Sequence, residues 1–138
     1  MRFVLAQPPT WPIEGISLEM GPLRASPRDL DKLALTTLLR AVPSTIQLGA
    51  PVYSTSARGW PLRLQQVKLF AGELEIERRV LALYVFVDWV GLAMITARDL
   101  TVFATHEAAL FAMLESGEPD LAADRAPSLW HALSDRPE

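Results

Sequence analysis

The feature that most constrains the fold is an apolar run of eighteen residues, Val80 to Ala97, whose only formal charge is Asp88. A membrane helix needs about 20 such residues. Asp88 would lie at its centre, where an acid costs about 2.5–3.5 kcal/mol. The run is rich in β-branched and aromatic residues, which favour strands. It therefore predicts two antiparallel strands with a turn at Asp88-Trp89-Val90-Gly91; one buried helix and one membrane span are the alternatives.

The segment before this run is also strand-like. Trp60, Leu62 and Leu64 alternate with polar residues, and Val67 and Leu69 then continue in the opposite phase. Such a change of phase predicts a β-bulge near Gln65-Gln66. A tight turn is expected at Ala71-Gly72, before the strand that begins at Leu74.

That next strand becomes apolar on both faces in its second half. Its even positions are apolar from Leu74 onward, with Arg78 as the exception, whereas its odd positions are charged up to Arg79 and apolar afterwards. A strand of this kind has to be covered on both sides by its own chain, through the second helix or the tail, or by a partner. The predicted partner-binding residues are these odd positions: Leu81, Leu83, Val85, Val87 and Trp89.

Two helices are predicted. Ser26-Pro27-Arg28-Asp29 combines a capping serine, a proline suited to the first turn and a favourable acid, and apolar residues follow at helical spacing up to Pro43. The first helix is therefore predicted over 27–42. The second follows Arg98-Asp99, with Thr101 or Thr105 as its cap and Gly117 as its end.

The remaining strands are shorter. Arg2–Ala6 is expected to be an edge strand, Ile16–Met20 a strand ended by Gly21-Pro22, and 46–53 a strand forming a hairpin with the Trp60 strand. The order β-β-α-β-β-β-β-α predicts an α+β domain over residues 1–118, with an antiparallel sheet of about five to six strands and two helices packed on it. Residues 119–138 are expected to be a tail with a short helix at Ser128–Leu133.

Composition limits the classes of function. The chain has 138 residues, 13 basic against 16 acidic side chains and no cysteine. Nothing in this favours a nucleic-acid partner, and disulfides, thiolate catalysis and cysteine metal sites are excluded. The amino terminus lacks the apolar core of a secretory signal, so a cytoplasmic location is expected.

No combination of residues points to catalysis, a cofactor or a metal. His106 and His131 have no metal-binding spacing, and Ser54-Thr55-Ser56 has no nucleophile motif around it. Asp88 is a candidate perturbed acid, although an aspartate bonding its own turn is the more ordinary interpretation. Arg78 either binds an anion or pairs with Glu75 or Glu77 on its own strand. The prediction is a non-enzymatic protein without a cofactor.

The order and lengths of Ser26–Val42, Ile46–Ala97 and Thr101–Ser116 resemble the PsbP/DcrB type of α/β/α sandwich, which has a helix, an antiparallel meander and a closing helix. The usual opening of that family, of the type Leu-Pro-x-x-Trp, is only echoed by Pro9-Thr10-Trp11. The resemblance extends to an Eag-like branch of cytoplasmic chaperones for type VI secretion effectors. It implies a dimer that shelters an apolar segment of a secreted effector on a sheet face.

These observations lead to one expected function and two alternatives. The leading hypothesis is a chaperone- or adaptor-like protein-binding domain that forms a homodimer through its sheet. An immunity protein that binds and blocks a toxin through an acidic rim at Glu73, Glu75 and Glu77 is the first alternative, and a small-ligand-binding domain is the second.

Overall fold

An antiparallel sheet of six strands forms the body of the protein in the computed structural model, which describes residues 1–42 and 45–120. The elements are β1 Phe3–Val4, β2 Ile16–Leu23, a 3-10 turn Pro27–Asp29, α1 Leu30–Leu38, β3 Thr45–Leu48, β4 Val52–Thr55, β5 Pro61–Ala71, β6 Leu74–Phe86, β7 Trp89–Ala97, α2 Leu100–Glu115 and β8 Glu118–Pro119. The central strands of the sheet lie in the order β2–β7–β6–β5, and β3 and β4 both pair with the outer edge of β5. The two helices and the antiparallel sheet confirm the predicted α+β class, and β1 and β8 form a separate two-stranded sheet.

The apolar run folds into a hairpin, which confirms the strand interpretation. Strands β6 and β7 pair antiparallel from Arg78 opposite Ala97 to Phe86 opposite Trp89. The turn is tighter than expected, because only Val87 and Asp88 connect the strands and Trp89 already belongs to β7. No helix in the described ranges, 1–42 and 45–120, is long and apolar enough to cross a membrane.

The two faces of the hairpin belong to two separate cores. The even positions of β6 and their partners on β7 pack under α2 and against Phe3, whereas the odd positions from Leu81 pack under α1. The first helix therefore covers the odd face, whereas the sequence led us to expect the second helix, the tail or a partner there. One helix on each face accounts for a strand that is apolar on both sides.

The predicted bulge at Gln65-Gln66 is wrong. The pairing of β5 with β6 is continuous from Leu62 opposite Tyr84 to Leu69 opposite Glu77, and the register shifts only between Leu69 and Phe70. The alternation changes phase because the two halves of β5 contribute to different cores. Leu62 and Leu64 belong to the α2 core, whereas Val67 and Leu69 belong to the α1 core. Polar residues occupy the other positions on each face.

The start of the first helix is confirmed and its end is corrected. The Ser26 hydroxyl accepts a hydrogen bond from the Arg28 amide at 3.3 Å, and a 3-10 turn leads into α1. However, α1 ends at Leu38 rather than at Val42. The buried guanidinium of Arg79 donates to the carbonyl oxygens of Leu38 and Arg40, and so it satisfies backbone acceptors that the end of a helix leaves open.

The second helix begins at a different cap from the two threonines predicted. Asp99 accepts a hydrogen bond from the Val102 amide at 3.1 Å, which makes Asp99 the N-cap, and Ser116 follows the last helical residue. Gly117 comes directly afterwards, but its φ is not positive. A side-chain carbon at this glycine would instead collide with the ring of Tyr84. Gly117 is therefore required for close packing, and it does not act as a left-handed helix terminator.

The edges of the sheet also differ from prediction. Strand β2 continues through Gly21-Pro22 to Leu23, and the first strand is limited to Phe3–Val4, which pairs with Glu118–Pro119. The strand expected over 46–53 is divided into β3 and β4, whose register with β5 differs by one residue across Gly49–Pro51. The short helix predicted at Ser128–Leu133 lies outside the described residues.

Candidate functional site

The residues predicted to bind a partner do not form one open surface. Leu81 and Leu83 have no exposed area beneath α1, and Val85 is half-buried. Val87 lies at the tip of the turn and is 85% exposed, whereas Trp89 is buried on the opposite face of the sheet. The two-residue turn explains the position of Trp89, since pairing with Phe86 places it on the even face.

The isolated polar candidates occupy ordinary positions. Asp88 is exposed in the turn, and His106 lies half-buried on α2. His131 lies outside the described part of the chain. Arg78 donates two hydrogen bonds to Glu75, at 2.9 and 3.1 Å. This is the ion pair within one strand that the sequence offered as the alternative to anion binding.

The acidic rim proposed for an immunity protein is largely engaged within the chain. Glu75 accepts both bonds from Arg78, and Glu77 forms ion pairs with Arg79 at 2.8 Å and with Arg98 at 3.4 Å. Glu73 is exposed. Two of the three carboxylates are therefore occupied, and nothing in this geometry favours the rim as a binding surface.

An open groove lies on the α2 side of the sheet. There α2 packs on β6, on β7 and on Leu62 and Leu64 of β5, whereas the described residues leave Gln66 and Lys68 of β5 and the outer strands β3 and β4 open. We call this open groove the side groove. It consists of two adjoining cavities of about 380 and 300 Å³ that share Gly49 and Gln66. The other lining residues are Gln47, Leu48, Lys68, Arg78 and Glu107 at one end and Ala50, Val52, Leu64, Gln65, Phe111 and Glu115 at the other.

One side of α2 forms the wall of the side groove. Glu107, Phe111 and Glu115 are four residues apart, which places them on one line along the helix. Leu64, Gln66 and Lys68 form the floor, since alternate residues of a strand share a face and Leu64 belongs to the α2 core. The rim opposite α2 is the β3–β4 edge with its break at Gly49–Pro51.

The two ends of the side groove differ in character. At the apolar end, Val52 is 56% exposed beside Phe111 and the buried Leu64. At the polar end, Gln47 and Gln66 expose amides and Lys68 exposes an ammonium group. None of these three side chains has a hydrogen bond or ion pair within the described residues, so each is available to a ligand.

The rim belongs to a sheet edge that lacks the usual protection. Gly49 donates its amide to the Gln66 carbonyl oxygen at 2.9 Å, and antiparallel pairs alternate between bonded and non-bonded. The N–H and C=O groups of Ile46 and Leu48 therefore point outward. From Ala41 to Ala57 the sequence has no charged residue. Edge strands normally carry charges or proline, which prevent pairing with strands of other chains. On this edge, only the break at Pro51 gives such protection among the described residues.

A buried arginine fixes this rim to the first helix. The Arg63 Nε donates to Asp31 at 3.0 Å and to the Tyr53 hydroxyl at 3.3 Å, and its Nη1 donates to the Gln65 side-chain oxygen at 2.7 Å. Gln65 in turn donates to the Gly49 carbonyl oxygen at 2.8 Å. This chain of bonds holds the break between β3 and β4, and thus the rim of the side groove, in one conformation.

The same network changes the pKa of Asp31. The hydrogen bond from Tyr53 has the largest effect on the pKa of the Asp31 carboxyl and lowers it. Burial opposes this effect, and the hydrogen bond and charge of Arg63 lower the pKa further, so that it lies below its ordinary value. The carboxylate therefore remains charged and keeps its bond to the buried guanidinium.

The described residues contain no group of three or more histidines and carboxylates that would suit a metal ion. A comparison with models of known protein families and with curated proteins finds no match for this chain.

Sequence reasoning missed the side groove. The available signal was the polar character of Gln66 and Lys68 at positions that share a face with Leu64. A strand fully covered by a helix would be apolar there. The predicted bulge near Gln65-Gln66 depended instead on the change of phase from Leu64 to Val67.

Proposed function

We propose that this protein is a non-enzymatic binding protein of the adaptor or chaperone type, which holds an extended, partly apolar segment of a partner protein in the side groove. The observation that carries the proposal is a part of the sheet face that the described residues leave open, bounded on one side by α2 and on the other by an uncharged edge. The expected function is thus kept, and its site is moved away from Leu81 and Leu83.

Three properties of the side groove support an extended peptide as its occupant. It follows β5 along the sheet and shares one floor residue, Gln66, between its ends, so it accommodates a linear ligand. Gln47 and Gln66 offer amides that match the hydrogen-bonding groups of a peptide backbone. Val52 and Phe111 offer apolar surface to a side chain of the ligand at one end. When a protein binds an extended peptide, the contacts with alternate side chains of that peptide give specificity.

The PsbP/DcrB-like assignment and the role in effector secretion belong to the same proposal. Their support is the layer order, with one helix on each face of an antiparallel meander. The homodimer and the cytoplasmic location stay predictions. Light scattering tests the dimer, since a dimer would have twice the 15.3 kDa mass of the chain.

The test is selection from a random dodecapeptide library displayed on phage, with the wild-type chain and two variants as baits. Val52→Arg places a charge in the apolar end of the side groove. Val87→Arg is its matched control, because Val87 is also an exposed valine but lies at the β6–β7 turn. We expect enrichment of related sequences with the wild type and with Val87→Arg, and its loss with Val52→Arg.

Circular dichroism and thermal unfolding of each bait establish that it is folded. Equal enrichment on the Val52→Arg bait, or no enrichment on the folded wild-type bait, would contradict the proposal.

A further inference from the structure

The floor of the side groove places two cations opposite each other. Lys68 on β5 pairs with Arg78 on β6 and with Gln47 on β3, so the three side chains form one row on the α2 face. Like charges directly opposite in a sheet are destabilising unless an anion neutralises them. The row therefore needs negative charge.

Carboxylates of the described residues neutralise only one of the two cations. Arg78 binds Glu75 with two hydrogen bonds and lies 5.1 Å from the centre of the Phe103 ring. Lys68 is half-buried, and no carboxylate lies within 4.0 Å of it among the described residues. Glu107 lines the same cavity but is exposed on α2, where water solvates its charge. The unmet electrostatic requirement is that of the lysine.

We infer that Lys68 binds a carboxylate of the segment that occupies the side groove, with the amides of Gln47 and Gln66 beside it as further donors. An ammonium group at the edge of a partly desolvated cavity forms charge-assisted hydrogen bonds that are stronger than neutral ones. The inference rests on the proposed function, and it adds the chemical class of the ligand: an acidic peptide segment.

The strand geometry also fixes the spacing within that segment. Lys68 and Leu64 share a face of β5 and lie four residues apart, about 13 Å at about 3.3 Å per residue. An extended ligand lying along β5 has the same repeat. Its acidic residue therefore lies four positions from the apolar residue that contacts Val52 and Phe111, and the residue midway faces Gln66.

The selection described above tests this inference when Lys68→Gln is added as a bait. Lys32→Gln is the matched control, since Lys32 is the only other lysine of the chain and is exposed on α1. We expect Asp or Glu four positions from a large apolar residue in sequences selected by the wild type and by Lys32→Gln. With Lys68→Gln, the apolar preference is expected to persist and the acidic preference to disappear.

Binding of one enriched peptide, synthesised with both ends blocked, gives the size of the effect. Lys68→Gln should weaken its affinity by about fivefold, as for a partly exposed charge pair, and should remove most of its dependence on NaCl. Glu107→Gln should strengthen binding, because it removes a competing carboxylate from the same cavity. A version with Gln for the acidic residue and a free carboxyl terminus tests whether a terminal carboxylate substitutes for the side chain.

The outcomes separate this inference from the proposed function. Enrichment of apolar sequences without an acidic preference, or an acidic preference that survives in Lys68→Gln, would overturn the role of Lys68 and leave the side groove as a peptide site. The absence of any enrichment on the folded wild-type bait would overturn both.

Discussion

The Nε of Arg63 lies 3.0 Å from the Asp31 carboxylate, although the arginine side chain is 4% exposed and the aspartate side chain 73%. A buried cation is thus neutralised by an anion at the protein surface. This arrangement lets α1 hold β5 and the break between β3 and β4 through one guanidinium. It also makes the stability of the side groove dependent on a group that water reaches.

Replacement of Arg63 by alanine should destabilise the fold by about 2–4 kcal/mol, because it removes charge-assisted bonds and leaves buried polar partners unpaired. Arg63→Met keeps most of the buried volume and should cost less. Urea unfolding monitored by tryptophan fluorescence measures both changes. An Arg63→Met protein as stable as wild type would show that packing, and not hydrogen bonding, is what Arg63 supplies.

Protonation of Asp31 should weaken the same network in acid. Its pKa in the folded protein is lower than its ordinary value of 3.8, so the unfolded chain binds this proton first as the pH falls. The stability from this group is complete above 3.8 and is lost as the pH falls through the folded pKa. Asp31→Asn should therefore be less stable than wild type at neutral pH, and the difference between their urea midpoints should shrink in acid. A difference that is independent of pH would contradict this assignment.

Tyr84 should make the protein sensitive to alkali. Its hydroxyl donates to the Leu114 carbonyl oxygen at 2.5 Å in the core, and burial raises its pKa above the ordinary 10.0. Above that pH the phenol ionises in the unfolded chain before it does so in the folded protein, so the free energy of unfolding falls as the pH rises. Tyr84→Phe should cost about 1–2 kcal/mol at neutral pH through the unpaired carbonyl. Its loss of stability above pH 10.0 should be smaller than that of the wild type, as measured by urea unfolding.

The close approach at Gly117 gives a prediction with an internal control. A Cβ atom there would lie 2.7 Å from Tyr84 Cζ, whereas a Cβ at Gly21 would meet nothing within 4 Å. Gly117→Ala should therefore lower stability by about 1–3 kcal/mol through overpacking, and Gly21→Ala should change it by less than about 0.5 kcal/mol. Thermal unfolding of the two variants measures the contrast. A Gly117→Ala protein as stable as wild type would show that the end of α2 moves freely away from the ring.

The predictions that held depend on neighbours in sequence. The β6–β7 hairpin follows from the composition of Val80–Ala97, and the start of the first helix follows from Ser26 and its hydrogen bond to Arg28. The antiparallel α+β class follows from the order of such elements. Each of these signals is local, so the sequence contains it directly.

The predictions that failed depend on which elements meet. The expected bulge in β5 arose because one strand contributes to two cores, and the end of α1 is set by Arg79, which is 41 residues from Leu38. Trp89 changed face because its turn has two residues. None of these relationships produces a periodic signal.

By itself, the sequence determined that this chain builds an antiparallel sheet around a hairpin that is apolar on both faces. It also determined that both faces of this hairpin must be covered, because the alternation of side chains is a property of the strand. Only the tertiary structure decided that α1 closes over Leu81 and Leu83, while α2 packs on Leu64 of β5 and leaves Gln66 and Lys68 partly exposed. The reason is that a helix covers only the strands on which it lies. The part of the sheet left open, with Lys68 in its floor, is therefore a consequence of helix placement.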